Sequence, residues 1–166
     1  MAALVSIPVL GVALILQTSI LSRISLLSGN ADLILLLLAG LGLYTNSRKI
    51  WIWAFVAGVM VGFVSGLPMV VPLAGYLATM GLARLMYRRV WQAPLMAMFV
   101  ITFGGTFILF GLSYVALWLK GPSLPLWTSF SQIFIPSVLL NLFLSIPMLP
   151  ILRDLNHLLY PEKEED

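Results

Sequence analysis

Residues 51–72 read WIWAFVAGVMVGFVSGLPMVVP, and this uncharged stretch decides the fold. Four small residues recur in it at intervals of four, namely Ala54, Gly58, Gly62 and Gly66. On an α-helix this spacing places all four on one side, where they form a strip that a second helix can approach closely. Pro68 cannot continue the helix but is suited to start another. The stretch therefore predicts a membrane helix, a tight hairpin and the start of the next helix.

The composition extends this prediction to the whole chain. Of its 166 residues, 61% are hydrophobic and 9% are charged, and the mean hydropathy is +1.06. A soluble domain carries about 25% charged residues. The apolar runs are long and continuous, which favours helices over a barrel. We expect an all-α integral membrane protein with one compact bundle. The absence of cysteine excludes disulfides and thiolate chemistry.

Six apolar segments are predicted transmembrane helices, at residues 4–21, 31–45, 50–66, 69–88, 93–119 and 129–152. The first lacks the basic start and the cleavage site of a signal peptide, so we expect it to be retained. The second is short, since its apolar run covers fewer than the ~20 residues that cross a bilayer. We expect Asn30 to be its N-cap and Asp32 to lie in its first turn, at the outer edge. Residues 153–166 are expected to form a short charged cytoplasmic tail.

An even number of helices places both termini on the same side of the membrane. That side would carry seven basic residues, namely Arg48, Lys49, Arg84, Arg88, Arg89, Arg153 and Lys163. The other side would carry two, Arg23 and Lys120. Because basic residues favour the cytoplasmic side, both termini are predicted to be cytoplasmic.

Ionisable groups are scarce in the predicted spans. Asp32 is the only acid before Asp154, and we interpret it as a helix cap with Arg23 as a candidate partner. His157 is the only histidine and lacks partners at ligand spacing. There is no catalytic triad, phosphate loop or nucleotide motif. We expect no enzymatic activity, no cofactor and no metal, and the basic residues at helix ends do not indicate nucleic-acid binding.

Four polar residues lie in the predicted spans, namely Gln17, Thr18, Gln132 and Asn141. Their common role is hydrogen bonding between helices, worth about 1 kcal/mol or less each. Alternatively, Gln17 or Asn141 lines a pocket or meets a partner's helix. The small-residue strip has two interpretations as well, internal packing or a docking surface for another protein's helix. The candidate partner-binding residues are therefore Ala54, Gly58, Gly62, Gly66, Gln17 and Asn141.

Short motifs follow one another in a distinctive order along the chain. They are LQTSIL at 16–21, ADL at 31–33, AG at 57–58, SGLPM at 65–69, RLMYRR at 84–89, LNL at 140–142 and IPMLPILR at 146–153. In this order they resemble the MreD family of rod shape-determining membrane proteins, over essentially the whole chain. Two positions depart from the family pattern. Ala31 stands where the family usually has proline, and Gly62 stands where relatives often have an aspartate.

The resemblance implies a non-catalytic scaffold of the elongasome, the machinery that inserts peptidoglycan along a rod-shaped cell. It implies a multi-pass protein of the bacterial inner membrane, surrounded by membrane lipid. MreC is the expected partner, and RodA, a class B penicillin-binding protein and MreB filaments are further candidates. The expected docking surface for MreC is the glycine-bearing face of helices three and four, with the polar half of helix one.

The family's six-helix fold is also similar to the substrate-binding subunits of ECF vitamin transporters. A small-molecule-binding membrane subunit is therefore the alternative function. The predicted outward loops supply few polar groups, and the turn at Gly66 is too short for a lid. These features favour the scaffold. A small channel or lipid carrier would need a polar lining that the sequence lacks.

Overall fold

The structure is a computed structural model that describes residues 2–19, 28–45, 48–87, 93–121 and 125–159. Within these ranges all the regular secondary-structure elements are helices. The elements are α1 (Ala2–Ser19), α2 (Leu33–Tyr44), α3 (Ile50–Val64), α4 (Val70–Met86), α5 (Pro94–Lys120), α6 (Leu126–Ser129), a π-helical segment (Phe130–Phe134) and α7 (Ile135–Leu159). The last three elements run on without a break as one long helix. The predicted all-α bundle of six helices is thus confirmed.

The helices differ in length. Two in the described part are long and apolar enough to cross a bilayer, Pro94–Lys120 and Leu126–Leu158. The helices α1 to α4 are apolar but shorter. The helix expected to end at residue 152 continues to Leu159, so the predicted tail begins as helix, and the residues after 159 lie outside the described ranges.

The short helix α2 is the centre of the bundle. Every residue from Ile34 to Leu43 is buried, and α2 contacts α1, α3, α4, α5 and α7. A helix that is surrounded on all sides must be apolar on all faces, which explains its sequence LILLLLAGLGLY. Gly40 lies against Leu152 and Gly42 lies against Ala83, so two of its neighbours approach the backbone closely.

The small-residue strip of α3 packs against α4. Ala54 is fully buried, and a Cβ atom added to Gly58 would lie 2.6 Å from Leu73 Cα. A Cβ atom on Gly62 would lie 2.8 Å from Met69 Cγ, whereas one on Gly66 would meet no atom of the described residues within 4 Å. The predicted hairpin is present between Val64 and Val70. At Gly58 and Gly62 the strip is thus used for internal packing against α4, whereas Gly66 is exposed.

The described basic residues are distributed unevenly between the two ends of the bundle. At one end the Thr45 hydroxyl donates a hydrogen bond to Asn156 Oδ1. The described basic residues of this end are Arg48, Lys49, Arg84 and Arg153. Lys120 ends α5 at the opposite end. Arg23, Arg88, Arg89 and Lys163, which completed the predicted charge asymmetry, lie outside the described residues.

Candidate functional site

An extended segment, residues 28–32, leads into α2 and runs beside the long last helix. The Ser28 backbone N–H donates to the Gln132 carbonyl oxygen at 3.1 Å. The Asn30 N–H donates to Ser137 Oγ at 3.1 Å. The Asp32 N–H donates to Asn141 Oδ1 at 2.7 Å. The segment therefore satisfies its backbone groups on the last helix instead of forming another turn of α2.

The dimensions of the two elements agree with this pairing. The partners on the helix advance by nine residues, from 132 to 141, which is about 14 Å at 1.5 Å per residue. Four steps of extended chain cover about 13 Å. The extended segment can approach the last helix this closely only with glycine at position 29, because a Cβ atom on Gly29 would lie 2.6 Å from the Ser137 nitrogen. The extended segment and α2 together thus span a greater length of the bundle than the short helix α2 does alone.

Asp32 is the N-cap of α2. Its Oδ1 accepts a hydrogen bond from the Leu35 N–H at 2.9 Å, which is the bond expected from a capping carboxylate. Its Oδ2 accepts a hydrogen bond from the Tyr76 hydroxyl of α4 at 2.9 Å. The prediction that Asn30 caps this helix is wrong by two residues. Asn30 instead belongs to the extended segment, because Ser137 offers its backbone a partner.

Asp32 lies at the middle height of the bundle. Its partner Asn141 is fifteen residues from Leu126 and seventeen from Leu158, the ends of the long last helix. Asn141 in turn donates to Thr106 Oγ1 at 3.0 Å, and Thr106 is twelve residues from Pro94 and fourteen from Lys120, the ends of α5. The prediction of a cap at the outer edge of the bundle is therefore wrong. The extended segment carries the start of α2 inward.

Two polar residues singled out in the sequence take part in this centre. The Ile34 N–H of α2 donates to Gln17 Oε1 of α1 at 3.3 Å. Asn141 is 1% exposed and bonds both Asp32 and Thr106. Gln17 thus accepts a hydrogen bond from another helix within the bundle. Asn141 likewise forms its hydrogen bonds within the bundle and also lines a cavity.

The cavity has a volume of about 180 Å³ and lies beside Asp32. Its polar lining consists of Asn30, Asp32, Thr106, Ser113, Ser137 and Asn141. The rest of the wall is apolar and includes Phe110 and Phe134. Asn30 is exposed and Thr106 is buried, so the cavity leads from the surface to the polar centre. Most of these polar groups, including Asn141, belong to helices and not to the outward loops that were expected to supply few of them.

Aromatic rings form one side of the cavity. The Phe110 and Phe134 ring centroids are 5.1 Å apart, and Phe130 stacks on Phe134 at 4.9 Å. Phe130 and Phe134 begin and end the π-helical segment. π-Helical segments are rare in proteins, and those that occur often lie at functional sites. Here the wider turn coincides with the ring cluster that faces α5.

Three features meet at this cavity, namely extended backbone in the middle of the bundle, a π-helical segment and a carboxylate. Non-helical backbone at membrane depth is tolerated only where it is covered by protein or lines a cavity. The sequence analysis did not single out Tyr76, Thr106, Phe110 or Phe134. The shortness of helix two was the signal that could have led to them, because the missing length had to be replaced by other structure.

The site can hold a solute by hydrogen bonds, charge and ring contacts. In the described part of the chain no three His, Asp or Glu residues are grouped to hold a metal ion. Comparison with protein-family models, curated proteins and solved structures finds no match to this chain. The function is therefore inferred from the residues and their geometry.

Proposed function

We propose that the chain is a non-catalytic, multi-pass scaffold of the bacterial inner membrane, of the MreD type. It binds MreC and helps to couple MreC to MreB filaments and to the wall synthases, RodA and a class B penicillin-binding protein. The observation that carries this proposal is that three of the motifs behind the resemblance meet in the fold. Contacts between these motifs give a physical reason for their order along the chain.

The convergence involves three motifs from distant parts of the sequence. Gln17 of LQTSIL accepts a hydrogen bond from Ile34, just after ADL. Asp32 of ADL bonds Asn141 of LNL, which is 109 positions away. Each motif thus supplies one partner to the same polar centre. Polar residues are costly to expose to lipid, so a family of such bundles has reason to keep these residues together.

The proposed membrane arrangement has six spans and cytoplasmic termini. Two helices long and apolar enough to cross a bilayer are consistent with it, and the extended segment provides a way for the short α2 to occupy a span. The basic residues described at the α2–α3 end support the orientation.

Reporter fusions test this arrangement. We expect alkaline phosphatase to be active when fused after Lys120 and inactive when fused after Arg48, because only the first position is periplasmic. A fluorescent protein that folds only in the cytoplasm should give the opposite result at the same two positions. The reverse pattern would contradict the orientation, and activity at both positions would contradict the span count.

Ala54 and Gly58 are buried, so a partner helix would dock outside this part of the strip. Exposed apolar side chains occur on several helices, for example Ile15 at 63%, Phe63 at 80% and Phe143 at 73% exposure. The chain has no cysteine, so single cysteines at these positions act as unique cross-linking sites. They report separately on the outward faces of α1, α3 and α7.

We expect MreC to co-purify with the tagged chain in mild detergent and to cross-link through one of the three positions only. The unmodified cysteine-free chain is the control for background cross-linking. Equal cross-linking at all three positions would indicate random collision and count against a defined interface. Mass spectrometry of proteins and small molecules in the same sample tests the scaffold against its alternative.

The alternative function is a small-molecule-binding membrane subunit of the ECF transporter type. The cavity favours it, since convergent polar groups in a concave site are typical of ligand pockets. Its volume of about 180 Å³ lies below the ~300–1,000 Å³ of drug-sized sites, which counts against a vitamin. Recovery of a bound vitamin with transporter subunits, and no MreC, would favour this alternative.

A further inference from the structure

We propose that the cavity beside Asp32 binds a small organic cation. An ammonium group would be held between the Asp32 carboxylate and the rings of Phe110 and Phe134, with a short polar arm reaching Asn141. This binding site goes beyond the scaffold role and does not depend on it.

At Asp32 and at Asn141 Oδ1, the hydrogen bonds of the lining leave acceptor positions open. Each carboxylate oxygen of Asp32 accepts one hydrogen bond in the bundle, and a carboxylate offers about four acceptor positions. Asn141 Oδ1 accepts one. By contrast, the Thr106 hydroxyl donates to the Thr102 carbonyl, and Asn141 Nδ2 donates to Thr106. A ligand that donates hydrogen bonds therefore fits the part of the wall that Asp32 and Asn141 Oδ1 form.

The charge of the lining points in the same direction. Among the described residues of the lining, Asp32 is the only acid, and none is a lysine or an arginine. Lys120, the described basic residue of α5, is fourteen residues beyond Thr106, which is about 21 Å along the helix axis. A carboxylate away from water is costly without a positive partner. A cationic ligand supplies that partner.

The aromatic wall selects an organic cation over a metal ion. Phe110 and Phe134 both line the cavity, and their ring centroids are 5.1 Å apart with the ring planes inclined at 43°. Ring faces attract ammonium groups, whereas hard metal ions require a shell of six or more oxygens. The remaining wall includes Leu35, Leu109 and Ile133, which suits methyl and methylene groups.

The volume limits the size of the ligand. About 180 Å³ corresponds to roughly six waters at ~30 Å³ each. This is enough for a choline-sized or ethanolamine-sized group. Such a group can come from a soluble amine or from the headgroup of a phospholipid in the surrounding membrane.

The full chain is placed in phosphatidylglycerol nanodiscs, and choline is the probe. Binding is followed by calorimetry and by thermal unfolding. We expect choline to bind and to raise the unfolding temperature, while dimethylbutanol, its uncharged isostere, does neither. Asp32→Asn should weaken choline binding at least ~10-fold, equivalent to about 1.4 kcal/mol. Phe110→Leu should weaken it roughly threefold to tenfold. Phe143→Leu, on a ring that is 73% exposed and outside the cavity, should leave binding unchanged.

A second measurement separates the two sources of the cation. Native mass spectrometry of protein from phosphatidylethanolamine discs should show one retained lipid, absent from Asp32→Asn, if the headgroup is the ligand. Absence of retained lipid together with choline binding would assign the site to a soluble amine. If Asp32→Asn does not fold, the Phe110→Leu and Phe143→Leu pair still decides whether the cavity binds choline.

The proposal is overturned if choline has no effect on the wild-type protein, or if Asp32→Asn or Phe110→Leu binds it as well as wild type. It is also overturned if Arg23, which lies outside the described residues, is the partner of Asp32. In that case Arg23→Gln would lower the unfolding temperature of the wild-type protein but would have no further effect on Asp32→Asn. None of these outcomes bears on MreC capture, so the scaffold proposal is tested separately.

Discussion

Asn141→Leu is expected to lower the free energy of unfolding by about 3 kcal/mol. Leucine has a similar volume, so the effect comes from lost hydrogen bonds. Asn141 is 1% exposed, accepts from the Asp32 N–H at 2.7 Å and donates to Thr106 Oγ1 at 3.0 Å. Without its side chain the Asp32 N–H loses its partner in the middle of the bundle, and such a group costs roughly 1–3 kcal/mol. The start of α2 then loses its anchor on α7.

The measurement is reversible unfolding in mixed micelles, with Gln132→Leu as the control. Gln132 belongs to the same long helix, and its side chain is exposed. The extended segment uses only its backbone carbonyl. We expect the control to change stability by about 0.5 kcal/mol or less. An equal loss in both variants would show that any apolar substitution in this helix is harmful and would remove the special role of Asn141.

Gly58→Ala is expected to cost about 3 kcal/mol, near the upper limit for overpacking by one methyl group. The added Cβ atom would lie 2.6 Å from the Leu73 Cα. Because this neighbour is backbone, α4 must shift as a whole to relieve the overlap. The same shift would disturb the contact of α4 with Asp32 through Tyr76, so the cavity site should weaken as well.

Two further alanine substitutions in the same strip are expected to lower the stability less than Gly58→Ala. At Gly62 the added Cβ atom meets Met69 Cγ at 2.8 Å, and because a methionine side chain can move, we expect a loss of about 1 kcal/mol. At Gly66 no atom in the described part of the chain lies within 4 Å of the added Cβ atom, and the change should stay within about 0.5 kcal/mol. Thermal unfolding of the three variants checks the order Gly58, Gly62, Gly66. Equal and small effects would show that α4 does not hold the strip.

The same series bears on partner binding. A variant that remains stable but no longer captures MreC would place the partner at that position. Gly66→Ala is the informative case, since Gly66 is exposed at the hairpin while Ala54 and Gly58 are covered. Loss of capture in parallel with loss of stability would instead follow from the disturbed bundle.

The helices and the hairpin follow from the sequence because their signals are local. Long apolar runs form helices in an apolar environment, and Pro68 after Gly66 ends one of them. The α3 strip also indicated close helix contact, since only small residues allow it. Spacing alone did not decide whether the second helix belongs to this chain or to a partner, because both would use the same residues.

The position of Asp32 depended on contacts between distant residues. As a sequence feature, an acid before a leucine-rich run is an ordinary helix start, and such starts commonly lie at a surface. Here Gln132, Ser137 and Asn141 offer hydrogen-bond partners about one hundred positions away. Nothing in local propensity specifies which residues these partners will meet.

The sequence by itself determined an all-α bundle of six helices, the hairpin after α3 and the concentration of basic residues near particular helix ends, because composition, proline and glycine act locally. Only the tertiary structure decided that α2 is the central helix, that α4 covers the strip at Gly58, and that Asp32 lies beside a cavity at mid-height. The physical reason is that unpaired backbone groups need partners wherever the helix is replaced by extended chain. Those partners are supplied by packing and not by neighbours in sequence.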